Sequence, residues 1–113
     1  MEKSGYYKGR HYSAFTDDVR KFKREGKLEQ AEALLRNLVK ATEAEALAEN
    51  LGVAPWYYDE LAKIYRKRRD CDAEIKILER FAGKKHAPGV NPPKLLARLE
   101  KAKQLRAKAD KQR

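Results

Sequence analysis

The side chains best equipped for chemistry in this chain are cations that recur. Arg20, Lys23 and Arg24 occupy three positions of one predicted helix, and Lys63, Arg66 and Lys67 occupy the same three positions of another, 43 residues later. Such groups hold carboxylates and phosphates through charge-assisted hydrogen bonds. Next to the second set stands the densest aromatic cluster, Trp56-Tyr57-Tyr58. Successive residues on a helix point ~100° apart. Tyr58 is therefore expected in the core, and Trp56 and Tyr57 cannot both share its face, so that one packs on the preceding helix end and the other is open to solvent. The plainer reading packs both rings between helices; an exposed ring beside Lys63 and Arg66 would instead suit stacking on a peptide or a base. For the six cations the plainer reading is a solvated face.

Nothing else carries a catalytic signature. His11 and His86 have no Cys, Asp or Glu at metal-ligand spacing. Asp17-Asp18 reads as acidic charge at a helix start, which the backbone dipole favours. Cys71 is the only cysteine, which excludes an internal disulfide and a multi-cysteine zinc site and suits a reducing, cytoplasmic setting. It is expected to be a buried structural thiol. No nucleophile elbow or paired-carboxylate motif is present, and Gly83-Lys84-Lys85 lacks the upstream glycine and the Ser/Thr of a phosphate loop. The expectation is a protein that is not an enzyme and uses no cofactor or metal.

The elements that must position these residues are predicted to be five helices in an all-α fold. Ala, Leu, Glu, Lys and Arg dominate, and no long stretch alternates with period two. The first helix is predicted from Ser13, as N-cap, to Arg24, with Phe15, Val19 and Phe22 on one face and Gly26 as its stop. The second runs from about Lys27 to Glu49 and ends at Asn50 and Gly52. Pro55 suits the first turn of the third, which ends in the basic run Arg66-Lys67-Arg68-Arg69. The fourth spans about Asp72 to Ala82. After a loop, Asn91-Pro92-Pro93 opens the fifth, whose Leu95, Leu96, Leu99, Ala102 and Leu105 face a nearly all-basic surface. Residues 1–12 are read as a flexible segment, 13–106 as one domain, and 107–113 as a basic tail.

A shift of 43 residues superimposes Phe15 on Tyr58, Val19 on Ala62, Phe22 on Tyr65, Leu28 on Cys71, Leu35 on Leu78 and Leu38 on Phe81. The motifs Tyr58-x2-Leu61-Ala62-x2-Tyr65 and Phe15-x2-Asp18-Val19-x2-Phe22, with Ala31-x3-Leu35 and Glu74-x3-Leu78 on the following helices, resemble the tetratricopeptide repeat. Glu74 stands where that family has a small Ala, Asp18 where it has Leu, and the spacing exceeds the family's ~34 residues. The resemblance covers about residues 13–83 and implies two helical hairpins closed by a C-terminal capping helix. It also implies that the first helix of each pair lines a ligand-binding surface. Carried onto this chain, that places Arg20, Lys23, Arg24, Lys63, Arg66 and Lys67 along one basic groove, with Asp59 and Thr16 near its floor and Trp56 beside it. Segments such as Val53-Ala54-Pro55-Trp56 and His86-Ala87-Pro88-Gly89-Val90 are also similar to accessory modules of uncharacterised bacterial proteins, some of them nucleic-acid-processing.

Charge refines this expectation. The net +10 is patchy: residues 1–27 carry +4, 28–62 carry −5, 63–70 carry +4, 71–83 carry −1 and 84–113 carry +8. The longest apolar run, Leu51 to Tyr58, is too short for the ~20 residues of a membrane span. The function expected is a non-catalytic helical-repeat scaffold that takes a protein partner, an acidic peptide in the basic groove. The alternative is a nucleic-acid-binding accessory module using the Arg/Lys face and the basic segment from Lys94 onward.

Overall fold

The computed structural model describes residues 3–85 and 91–111. It is all-α apart from a small N-terminal hairpin. Strands β1 (Tyr6–Tyr7) and β2 (Arg10–His11) lead into a single 3-10 turn (Tyr12–Phe15), followed by α1 (Thr16–Arg24), α2 (Leu28–Glu49), α3 (Pro55–Lys67), α4 (Cys71–Ala82) and α5 (Asn91–Lys111). Each helix packs on the next: α1 on α2, α2 on α3, α3 on α4 and α4 on α5, with α5 also reaching α3.

Local chemistry explains most of the breaks. Gly26, at φ +72°, turns the chain between α1 and α2 in a left-handed conformation that costs glycine little. Asn50 ends α2 in the same region at φ 53°, where asparagine is the usual substitute. Pro55 opens α3, as its missing N–H predicts. The Asp70 side chain accepts the Ala73 N–H at 3.1 Å and caps α4. Thr42, in the middle of α2 and fully buried, accepts the Ala54 N–H at 3.1 Å and so ties the start of α3 to α2.

One core runs through all five helices. It includes Val19 of α1, Leu35, Leu38 and Val39 of α2, Tyr58, Leu61 and Ile64 of α3, Leu78 and Phe81 of α4, and Leu95, Leu99 and Ala102 of α5. Leu96 is exposed. No helix among the described residues is long and apolar enough to cross a membrane.

The segment read as flexible corrects the sequence reading at its N-terminal end. Lys8 and Gly9, at φ 49° and 80°, make a two-residue turn that pairs Tyr7 with Arg10 and Tyr6 with His11. Positive φ at both central residues is the hairpin geometry that matches strand twist. Gly5, at φ +87°, is buried against α2, and a Cβ there would run into the Glu45 carboxylate. His11 Nε2 meets that carboxylate at 2.7 Å. Tyr7 and Tyr12 pack on the core. Two-residue strands leave no alternating pattern to read, which is why the segment looked featureless. Helix α1 accordingly starts at Thr16 rather than at Ser13, and His11 caps the preceding turn by accepting the Ser13 N–H. At the other end α5 continues to Lys111, through much of the predicted tail.

Candidate anion-binding groove

The basic face expected from the repeat register is assembled in part, and its charge is largely balanced. Lys23 of α1 donates to Glu60 Oε1 at 2.6 Å, and Lys63 of α3 donates to Glu60 Oε2 at 3.2 Å. Lys63 also lies 3.3 Å from Asp59, whose other oxygen takes Arg98 of α5 at 3.1 Å. Arg66 turns away from this row: its Nε donates to both oxygens of Glu74, at 3.0 Å each. Glu60 and Glu74 are 6% and 1% exposed. Burial alone would raise the Glu60 carboxyl, but Lys23 and then Lys63 outweigh it and hold it below the ordinary range. Burial likewise opposes the charge of Lys63, and its carboxylate neighbours, Glu60 first, reverse that and push it up.

The remaining residues of that face are scattered. Arg20 pairs with Asp17 at 3.6 Å and lies over the Trp56 ring, 5.6 Å from its centroid. Trp56 is half-buried, edge-on to Tyr57 at 5.0 Å, and Tyr57 is buried. Burial, and secondarily Tyr12, pushes the Tyr57 hydroxyl up to about 12. Thr16 is half-buried, and Arg24 and Lys67 are exposed. The expected groove is thus a clasp in which α1, α3 and α5 hold one another through Glu60 and Asp59. Sequence reasoning had missed Glu60 altogether and had seen Glu74 only as a departure from a motif. The signal available was a Glu on the predicted core side of α3 with Lys residues of two helices in reach. Cys71 is half-buried, and among the described residues no group of His, Cys, Asp or Glu could hold a metal. His86 lies outside the described residues.

Arg24 and Lys67 carry no ion pair among the described residues, and unpaired charge also lines a cavity on the other side of α3. Helices α2 and α4 flank α3 and leave a cavity of about 320 Å³ between them. Its floor is Val39, Leu61, Tyr65 and Ile77, and its walls carry Arg36 and Lys40 from α2 and Lys76 and Arg80 from α4. The spacing is helical: 36/40 and 76/80 are each one turn apart, so each pair lies on one face.

Two carboxylates set the ends of this groove. Glu32 accepts the Tyr65 hydroxyl at 2.9 Å, pairs with Arg36 at 3.3 Å, and is also gripped by Arg68. Arg36 Nε in turn donates to the Tyr65 oxygen at 3.2 Å. Glu43 accepts Arg80 through Nε at 2.8 Å and Nη2 at 2.6 Å, and accepts the Tyr58 hydroxyl at 2.7 Å. Burial works against both carboxylates. Arg68 and Tyr65 overcome it at Glu32, and Arg80 and Tyr58 at Glu43, so both are held below the ordinary range. These contacts occupy Arg36 Nε and two nitrogens of Arg80. Lys40 and Lys76 have no carboxylate partner among the described residues and are exposed. An apolar floor walled by four cations, two of them unpaired, has the chemistry to hold an anion.

A second cavity, of about 480 Å³, lies across α2. Five of its eleven lining residues match the first cavity's at a shift of 43 residues: Asp18 for Leu61, Phe22 for Tyr65, Ala33 for Lys76, Leu34 for Ile77 and Asn37 for Arg80. Tyr7 and Lys8 of the hairpin complete its lining and have no counterpart at that shift.

No family model, curated protein or solved structure matches this chain. What it does must therefore be argued from its own geometry.

Proposed function

We propose that this protein is a non-catalytic helical-repeat scaffold that binds an acidic segment of another protein in the groove between α2 and α4. The observation that carries the reading is the pair Lys40 and Lys76, which lie on opposite walls of one cavity and lack carboxylate partners. The matching cavities on the two sides of α2 support a 43-residue repeat, and a pair of tetratricopeptide-like hairpins closed by α5 is its simplest description. A cytoplasmic protein accords with the single cysteine.

The nucleic-acid reading rests on α5, where Lys94, Lys101, Lys108 and Lys111 lack carboxylate partners among the described residues and are exposed. Anisotropy titrations separate the two, using a labelled glutamate-rich peptide and labelled single- and double-stranded oligonucleotides at ~150 mM salt. The acidic-segment reading expects saturable peptide binding that Lys40→Glu with Lys76→Glu abolishes. It expects oligonucleotide binding only at low salt, with the steep decline of counterion release. Oligonucleotide binding that persists at ~150 mM salt while the peptide fails to bind overturns it.

A further inference from the structure

We infer that the cavity between the hairpin, α1 and α2 is a second subsite of the same binding surface, taking one large apolar or aromatic side chain of the acidic segment. This rests on the α2/α4 groove being the seat for the segment's acidic residue.

The two cavities are repeat equivalents, yet their chemistry has diverged. Where the α2/α4 cavity has Lys76 and Arg80, this one has Ala33 and Asn37. Its inner wall is apolar and aromatic: Tyr7, Phe15, Phe22 and Leu34. Phe15 and Tyr7 face each other at 5.7 Å between ring centroids, and Asn37 Nδ2 donates to the Tyr7 hydroxyl at 3.4 Å, which fixes that wall. Phe22 and Leu34 are only half-buried, so the cavity presents apolar surface to whatever enters. Charges lie on the rim, where Lys8, Lys21 and Lys27 are opposed by Asp18 and Glu25. A slot with apolar and aromatic walls and a nearly balanced rim selects a hydrophobic side chain; a four-cation slot selects a carboxylate.

Helix α2 is the ridge between the slots, with Ala33 and Arg36 exposed along it. A helix is about 10 Å across, and an extended chain advances ~3.3 Å per residue. A strand-like segment crossing the ridge therefore places its acidic and apolar residues about three to four positions apart, and since side chains alternate faces, the four-residue spacing puts both on the same side.

The test compares three labelled glutamate-rich peptides at ~150 mM salt. One has Phe three residues before a central Glu-Glu pair, one has Phe three residues after it, and one has Ala at both places. One of the Phe peptides is expected to bind at least about tenfold tighter than the Ala peptide, the gain of burying one phenyl side chain. Ala33→Trp, which fills the slot from an exposed position, should remove that gain and leave the Ala peptide unaffected. Ala33→Lys, which installs the residue type of the other slot, should also remove the difference between the Phe and Ala peptides. Lys40→Glu should weaken all three peptides. If all three bind equally and Lys40→Glu still weakens them, the second subsite is wrong and the groove stands. A Phe gain that survives both Ala33 variants also overturns it, because the side chain then binds elsewhere. If no peptide binds, the groove reading fails and the subsite fails with it.

Discussion

The two sides of α3 put most of their cations to different use, although Arg24 and Lys67 of the first face are exposed and carry no ion pair among the described residues. On the α1 side, Lys23 and Lys63 close on Glu60, and Arg98 closes on Asp59. Those charges hold three helices to one another. On the α2/α4 side, Glu32 and Glu43 take up Arg36 and Arg80 only in part, and Lys40 and Lys76 are left over. A row of basic residues in a sequence therefore says little about binding until the buried carboxylates are located. An ion pair with a buried partner is structural; an unpaired cation beside an apolar floor is available to a ligand.

The largest effect should come from Arg66, whose guanidinium keeps an otherwise isolated carboxylate inside the protein. Arg66→Ala leaves Glu74 buried without its partner and should cost about 3–5 kcal/mol in denaturant unfolding. Arg66→Met combined with Glu74→Leu should recover most of that loss, because the charge problem disappears with both partners. Arg66→Ala with no effect on stability would mean that a cation paired with a buried carboxylate is not structural, and the distinction between paired and unpaired cations would lose its firmest support.

Acid should act next. Glu32, Glu43 and Glu60 are all held below the ordinary carboxylate range in the folded chain. The stability they contribute is complete above their unfolded value of about 4.5 and is lost as the pH falls through their lower folded values. Melting temperature should therefore be flat near neutrality and decline below about pH 4.5. Glu60→Gln should shallow that decline by removing one of the linked protons, and a profile unchanged by the substitution would place the linkage elsewhere.

The smallest stability effect belongs to the groove that is meant to bind. Lys40→Glu and Lys76→Glu alter exposed, unpaired side chains, and each should shift stability by no more than ~0.5 kcal/mol. A large loss of stability in either would show these lysines to be structural too, and the two sides of α3 would then be alike.

The sequence made the helices legible because their apolar spacing, Pro55, Gly26 and Asn50 are local signals. Tyr58, Leu61, Ala62, Ile64 and Tyr65 are all buried in α3, as their helical register requires. The N-terminal hairpin was hidden because its anchor is tertiary: Gly5 needs its small size against a carboxylate 40 residues away in α2. The proposed groove was hidden for a related reason. The notable cations at 20, 23, 24, 63, 66 and 67 were conspicuous as runs in helices of one register. Those that wall the groove, Arg36, Lys40, Lys76 and Arg80, are isolated in sequence, one turn apart on two helices, and α2 is acidic overall. Only the packing of α2 and α4 around α3 brings them together.

The tie from Thr42 to the start of α3 has a consequence for dissecting the molecule. The 22 residues of α2 serve both halves: one edge walls the first cavity, the other walls the second, and its middle supplies the acceptor for the next helix. The two hairpins are consequently not interchangeable cassettes. A fragment cut after Asn50 would expose Val39, Thr42 and Ala46, and a fragment beginning at Pro55 would have lost the wall of its own groove. Engineering this scaffold to lengthen it or graft it would have to duplicate α2 with the hairpin that follows it, rather than with the one it closes.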